Sequence, residues 1–88
     1  MLIISGMFSY CSSLTSLYLS NININNVNNM SKMFFNCSSL TSLNLSNFNT
    51  NNVEDMNFML VGCFLLSSLN TKDEKILRKR VRYNKIIY

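Results

Sequence analysis

Two consecutive stretches of the chain decide its fold: residues 7–32 read MFSYCSSLTSLYLSNININNVNNMSK, and residues 33–58 read MFFNCSSLTSLNLSNFNTNNVEDMNF. Without a gap, 17 of the 26 positions are identical. A third copy begins at Met59 with MLVGCFLLSSL and loses the pattern after Leu69. Self-similarity at a fixed period of this length is the signature of repeat architectures, so equivalent segments are predicted to stack on one another.

Within each copy, an L-x-x-L-x-L pattern predicts a short strand with one buried face. In the first copy the pattern consists of Leu14, Leu17 and Leu19. Side chains alternate between the two faces of an extended segment, so Leu17 and Leu19 are expected to point inward. The predicted strands, near residues 16–19, 42–45 and 68–70, are expected to pair in parallel, because equivalent segments stack in the same direction.

The second half of each copy has a different hydrophobic spacing. Val27, Met30 and Met33 recur at i, i+3 and i+6, and the same spacing returns at the equivalent positions of the next copy. This spacing favours a short α-helical or 3₁₀ return that packs on the sheet. Ile22 and Phe48 are expected to fill the corner between strand and return.

The string MF-x-x-CSSLTSL-x-LSN-x-N-x-NNV-x-x-M resembles the BspA-like leucine-rich repeat of bacterial and protist surface proteins, over roughly residues 7–69. The resemblance implies a cell-surface or secreted location, adhesion, and a protein or matrix partner. The apolar start of the chain is too short for a signal peptide and lacks its basic leading region. Residues 4–7 align with residues 30–33, so the chain is expected to begin inside a copy and to be a fragment of a longer array.

The predicted fold is an α/β repeat: a short leucine-rich-repeat solenoid with a small parallel sheet, short helical returns and a C-terminal amphipathic helix. The solenoid is expected to span residues 1–70, with copies at 7–32 and 33–58 and a partial copy at 59–70. Residues 71–88 form the predicted helical tail.

This tail holds most of the charge. The chain has a net charge of +4, and seven of its eight basic residues lie in residues 72–88. Thr71 followed by Glu74 reads as a capping box. At the angular spacing of a helix, one apolar arc is expected: Ile76, Leu77, Val81, Tyr83, Ile87 and Tyr88. The favoured role is to cover the end of the solenoid, and contact with a membrane surface or nucleic acid is the alternative.

The inventory of reactive side chains argues against an enzyme, a cofactor or a metal site. Histidine is absent, and the four carboxylates form two adjacent pairs. Without a base, the many serines have no activating partner. Cys11, Cys37 and Cys63 occupy the same position in successive copies and include no C-x-x-C, so they are predicted to be reduced, buried core residues aligned in one row.

Two functions remain open. The first is a protein-interaction module whose outward strand positions bind another macromolecule, with Tyr18 as the expected anchor because aromatic residues dominate binding hot spots. The candidate face consists of Ser16, Tyr18, Ser20, Ser42, Asn44, Ser46, Ser68 and Asn70. The second is a truncated or frameshifted remnant with no independent function.

Overall fold

A computed structural model of the chain describes residues 2–83. Five short strands and one helix follow one another along the chain: β1 (Leu2–Ile3), β2 (Ser16–Tyr18), β3 (Val27–Asn29), β4 (Ser42–Asn44), β5 (Ser68–Asn70) and α1 (Glu74–Tyr83). Strands β2, β4 and β5 form a three-stranded sheet in that order, and β1 and β3 form a two-stranded sheet. Both sheets are parallel.

The three-stranded sheet aligns residues that occupy equivalent positions of successive copies. Leu17 pairs with Leu43, and Leu43 pairs with Leu69. The positions and the parallel direction of these strands agree with the L-x-x-L-x-L expectation. The middle leucine is buried, whereas its two partners are half-buried because each belongs to an edge strand.

Tight turns, rather than helices, form the corners between the strands. The N–H of Met33 donates to the carbonyl of Met30 at 3.3 Å, and the N–H of Cys37 donates to the carbonyl of Phe34 at 3.2 Å. The third residue of each turn, Lys32 and Asn36, has a positive φ of 55° and 58°. A positive φ at that position is the mark of a type II turn.

The predicted helical returns are wrong. Val27 belongs to strand β3, which pairs with β1, and no α-helix or 3₁₀-helix occurs in residues 2–73. The N–H of Met30 donates to the carbonyl of Asp55 at 2.8 Å, and the N–H of Phe34 donates to that of Met59 at 3.1 Å. These two N–H groups donate to residues of the next copy along the chain and not to neighbours within their own copy, as they would in a helix. The spacing of Val27, Met30 and Met33 therefore comes from strand β3 followed by a tight turn, and all three side chains are buried.

The prediction of a leucine-rich-repeat solenoid is also wrong. The structure is a small protein with a three-stranded parallel sheet, a further pair of short strands and one short helix. A leucine-rich solenoid as predicted needs a helical return after each strand, and turns and strand β3 take that place. The division of the chain at residue 70 stays a prediction.

The core lies between the strands and the turns and is most complete in the middle of the chain. Met33, Phe34 and Leu40 are fully buried. One corner expectation is right, because Phe48 is buried, and the other is wrong, because Ile22 is exposed. The buried neighbour in the first copy is Ile24, two residues further along the chain.

The predicted C-terminal amphipathic helix over residues 71–88 is wrong, because the structure has a short helix over Glu74–Tyr83. Its first residue follows Asp73, whose Oδ1 accepts the N–H groups of Lys75 at 3.0 Å and Ile76 at 3.2 Å. Asp73 is thus the N-cap. Thr71, the predicted cap, instead accepts the N–H of Asp73 through its hydroxyl oxygen. The predicted arc also needed Val81, Tyr83, Ile87 and Tyr88, whose side chains lie outside the described part of the chain.

Three side chains attach the start of α1 to the preceding layer. The carboxylate of Asp73 accepts the N–H of Thr50 at 2.7 Å and its hydroxyl at 2.8 Å. Lys75 Nζ donates to the carbonyls of Thr50 and Val53 at 3.1 and 3.2 Å. Ile76 is fully buried. Thr50, the only buried polar residue in the described part of the chain, is therefore satisfied by the helix cap.

Candidate binding face of the three-stranded sheet

The structure brings six of the eight predicted face residues together in two rows across the sheet. One row consists of Ser16, Ser42 and Ser68, and the other consists of Tyr18, Asn44 and Asn70. Ser20 and Ser46 follow their strands by two residues and are half-buried. They form no third row of paired strand residues in the described structure.

Exposure differs across the face. Tyr18 is 69% exposed, and Asn70, at the opposite end of its row, is also exposed. Ser42 and Asn44, on the central strand, are half-buried between their neighbours. Tyr18 therefore projects from one edge of a flat, polar row, and it is the large side chain that this row offers to a partner.

Some polar atoms of the predicted face are already engaged within the chain. The side-chain oxygen of Asn44 accepts the N–H of Ser46 at 3.0 Å, which closes an Asx turn after β4. The carbonyl of Ser20 accepts a hydrogen bond from the side-chain amide of Asn47. These bonds hold the loop after the strands in place and lower the capacity of Asn44 to bind a partner.

A row of hydroxyl residues beside the face was missed by the sequence reasoning. Thr41 Oγ1 donates to the carbonyl of Thr15 at 3.0 Å, and Ser67 Oγ donates to the carbonyl of Thr41 at 3.3 Å. These three residues are exposed and occupy the same position in successive copies. Their common spacing and hydroxyl chemistry are a signal in the sequence that would have placed them next to Ser16, Ser42 and Ser68.

A second cluster that the sequence reasoning missed lies on the turns. The rings of Tyr10 and Phe35 meet edge to face with centroids 5.6 Å apart. Lys32 Nζ lies 5.4 Å from the ring centroid of Phe35 and 5.8 Å from that of Phe58, which are cation–π distances. Lys32 and Phe58 both occupy left-handed turn positions that are equivalent in the two copies, so the turn geometry brings their side chains together.

The cysteines are free thiols, as predicted, but only two of them are buried. Cys37 and Cys63 each donate through sulfur, at 3.0 Å, to the carbonyls of Phe8 and Phe34. Burial raises the pKa of Cys37 and raises that of Cys63 to about 12, so both thiols are held in their neutral, unreactive form. Cys11 is half-buried, which corrects the prediction for that residue.

Residues 2–83 hold no cluster of three or more His, Cys, Asp or Glu side chains that would suit a metal ion. Over the same residues, no helix has the length and apolar character needed to cross a membrane. The candidate face itself consists of hydroxyl, amide and phenol groups and has no charged side chain. Its chemistry is therefore that of hydrogen bonding and aromatic contact.

A family model described as a Mycoplasma protein of unknown function, DUF285, matches residues 2–82. The chain belongs to the DUF285 family. This assignment corrects the resemblance to BspA-like leucine-rich-repeat proteins, because the matched family is a different one. No curated protein and no solved structure shows a significant similarity to this DUF285 chain. Adhesion and a cell-surface or secreted location were implied by the resemblance alone, so DUF285 membership leaves them without support.

Proposed function

We propose that this protein is a protein-interaction module that binds another macromolecule through the outward face of strands β2, β4 and β5. The single observation that carries the proposal is the pair of in-register rows across the sheet, with Tyr18 69% exposed at one edge. Side chains on paired strands are held at fixed spacing by the backbone, so this face is pre-organised for contact.

The composition of the face supports a protein partner. Its rows contain Ser, Asn and Tyr, with Thr in the neighbouring hydroxyl row. Binding loops of antibodies are enriched in Tyr, Ser and Asn, because Tyr gives a large rigid contact and Ser and Asn give adaptable hydrogen bonds. A nucleic-acid surface instead needs clustered Lys and Arg to neutralise phosphates.

Contact of the basic tail with a membrane or nucleic acid stays the alternative from the sequence. Two of the residues that it would use have structural roles: Lys75 donates to two backbone carbonyls, and Ile76 is fully buried. These contacts favour attachment of α1 to the protein over contact with an outside surface. We therefore place the binding function on the sheet.

The test starts from selection of a displayed library of short peptides on the immobilised full chain. The dissociation constant of each purified binder is then measured for the original chain, for Tyr18→Ala and for Tyr10→Ala. Tyr10 is the matched control, because it is 66% exposed but lies on a turn and not on the face. Loss of a hot-spot aromatic costs at least about 2 kcal/mol, so Tyr18→Ala should weaken binding about 30-fold or more.

Tyr10→Ala should leave the dissociation constant within about threefold. If both tyrosine variants bind equally well, the face does not carry the interaction. If no selected peptide binds in a way that depends on Tyr18, the remnant hypothesis becomes the better account.

A further inference from the structure

Strand β2 is at the edge of the three-stranded sheet. Within the described residues it pairs with β4 on one side and has no partner on the other. An edge strand presents a row of unpaired N–H and C=O groups, which is a template for pairing with another chain.

The backbone groups that face outward from this edge can be identified from the equivalent residues. The N–H of Ser42 donates backward to the carbonyl of Thr15 at 3.3 Å, and the N–H of Ser68 donates backward to the carbonyl of Thr41 at 3.0 Å. Ser16 is the equivalent residue of β2, so its N–H points away from β4. Backbone groups alternate along a strand, so those of Tyr18 point the same way.

Apolar side chains accompany this open edge. Met7 is 54% exposed, whereas its equivalent Met33 is fully buried. Ile22 is 41% exposed, whereas its equivalent Phe48 is 5% exposed. What completes the burial of Met33 and Phe48 is a layer of this same sequence, residues 7–32. The open edge therefore exposes apolar positions of the kind that residues of this same chain cover in the second copy.

Short length, as in the three residues of β2, is one protection of an edge strand, but two other usual protections are absent here. Natural edges carry charged side chains, especially Lys, or proline. Residues 1–31 contain no charged side chain, and the chain contains no proline. The opposite edge differs, since β5 is followed, after Thr71, by Lys72 and then by α1, which carries Lys75 and Arg78. Like charges would oppose an approach of two copies through that end.

We propose that two copies of this chain associate through their β2 edges, antiparallel and about a two-fold axis. The arrangement places Leu17 opposite the partner's Leu17, and Ser16 opposite the partner's Tyr18. The outward N–H and C=O groups of Ser16 and Tyr18 then exchange hydrogen bonds with the partner, as residues directly opposite in an antiparallel pair do. Such an interface is isologous and closes at two copies.

A head-to-tail stack, with β2 of one copy on β5 of the next, is opposed by α1. Continuing the register of the sheet would set strand β3 of the second copy, Val27–Asn29, beside residues 79–81. Those residues belong to α1, whose start is held in place by Asp73 and Lys75. A helix satisfies its backbone groups internally, so it offers no ladder to an extended neighbour.

The experiment measures the mass of the full chain in solution by sedimentation equilibrium, from micromolar to millimolar concentration and with reductant present. The original chain and Ser16→Ala should fit a monomer–dimer equilibrium with similar constants. Ser16→Pro removes an N–H that faces outward and leaves the bonds to β4 in place. It should weaken association at least about tenfold, because each copy loses one hydrogen bond to its partner.

Met7→Lys provides a second test that involves no backbone change. A charge on the exposed Met7 would be desolvated in the dimer, so the variant should also weaken association about tenfold or more. Far-UV circular dichroism checks that each variant is folded, and Met7→Lys decides the matter if Ser16→Pro unfolds. A chain that stays monomeric at all concentrations overturns the proposal, as do open-ended oligomers or a dimer that both variants leave unchanged.

Discussion

Residues 7–32 and residues 33–58, termed the first and second segments, have nearly the same sequence and very different surroundings. In the second segment Met33, Cys37 and Leu40 are fully buried, because chain lies on both sides of them. Their equivalents in the first segment are exposed or half-buried. The spacing of residues therefore determines which positions align, whereas the chain packed on either side determines which of those positions become core.

The largest expected effect comes from truncating the same side chain in each segment. Met33→Ala should lower the free energy of unfolding by about 2–5 kcal/mol, because it removes buried atoms and leaves a cavity. Met7→Ala should lower it by less than about 0.5 kcal/mol, since Met7 is an exposed residue. Urea denaturation of the two variants, below the concentration of any association, makes the measurement. Equal losses would mean that the two segments do not differ in burial.

A glycine substitution tests how closely the second segment approaches the layer after it. Gly62 has a φ of 87°, and a Cβ there would lie 2.0 Å from Asn36 Oδ1 and 2.8 Å from Asn36 Cα. Gly62→Ala should therefore cost about 2–4 kcal/mol, from left-handed strain and overpacking together. Gly6→Ala is the matched control, because its φ is 67° but its nearest contact is Ser9 Oγ at 3.4 Å.

The control should cost only the left-handed strain, about 1–2 kcal/mol. Thermal denaturation of the two variants gives the difference. A Gly62→Ala variant as stable as Gly6→Ala would show that the two layers do not meet at Asn36.

The reactivity of the three cysteine thiols should also differ between the two segments. Alkylation under native conditions, followed by mass spectrometry, should modify half-buried Cys11 first and Cys37 and Cys63 much later. The reason is that the thiolate is the reactive form and burial disfavours it in the two buried residues. Equal rates at all three residues would contradict the difference between the segments.

The same thiols give a pH dependence of stability. The folded state holds the Cys63 proton more tightly, with a pKa raised from 9.0 to about 12. The free energy of unfolding is therefore unaffected by this group below about pH 9 and falls above it, by about 1.4 kcal/mol per pH unit until about pH 12. Cys63→Ala should reduce this slope, and an unchanged slope would assign it to other groups.

The strands were predictable because their pattern is local and repeated: the leucines of each copy mark three short segments and their direction. The corners were not predictable, because a spacing of three residues fits both a helix and a short strand followed by a tight turn. The hydrogen bonds of Met30 and Phe34 to the next layer decide between the two, and these bonds join residues that are far apart in the chain. No window of local sequence contains such partners.

The candidate face was predictable as rows, since equivalent residues of successive copies share a side of the sheet, but its local hydrogen bonds were not. The bond from Ser46 to Asn44 depends on how the chain turns after β4. The start of α1 was misplaced for a similar reason. Thr71 and Asp73 are both good caps, and the distant Thr50 favours Asp73 by donating two hydrogen bonds to its carboxylate.

The most direct test of the account is the pattern of nuclear Overhauser effects between strands β2, β4 and β5 in isotope-labelled protein. We expect contacts of parallel type that link Leu17 to Leu43 and Leu43 to Leu69, the equivalent leucines of successive copies. Close Cα–H to Cα–H contacts of antiparallel type between β2 and β4 or between β4 and β5 would contradict this pairing, as would a register that pairs other residues.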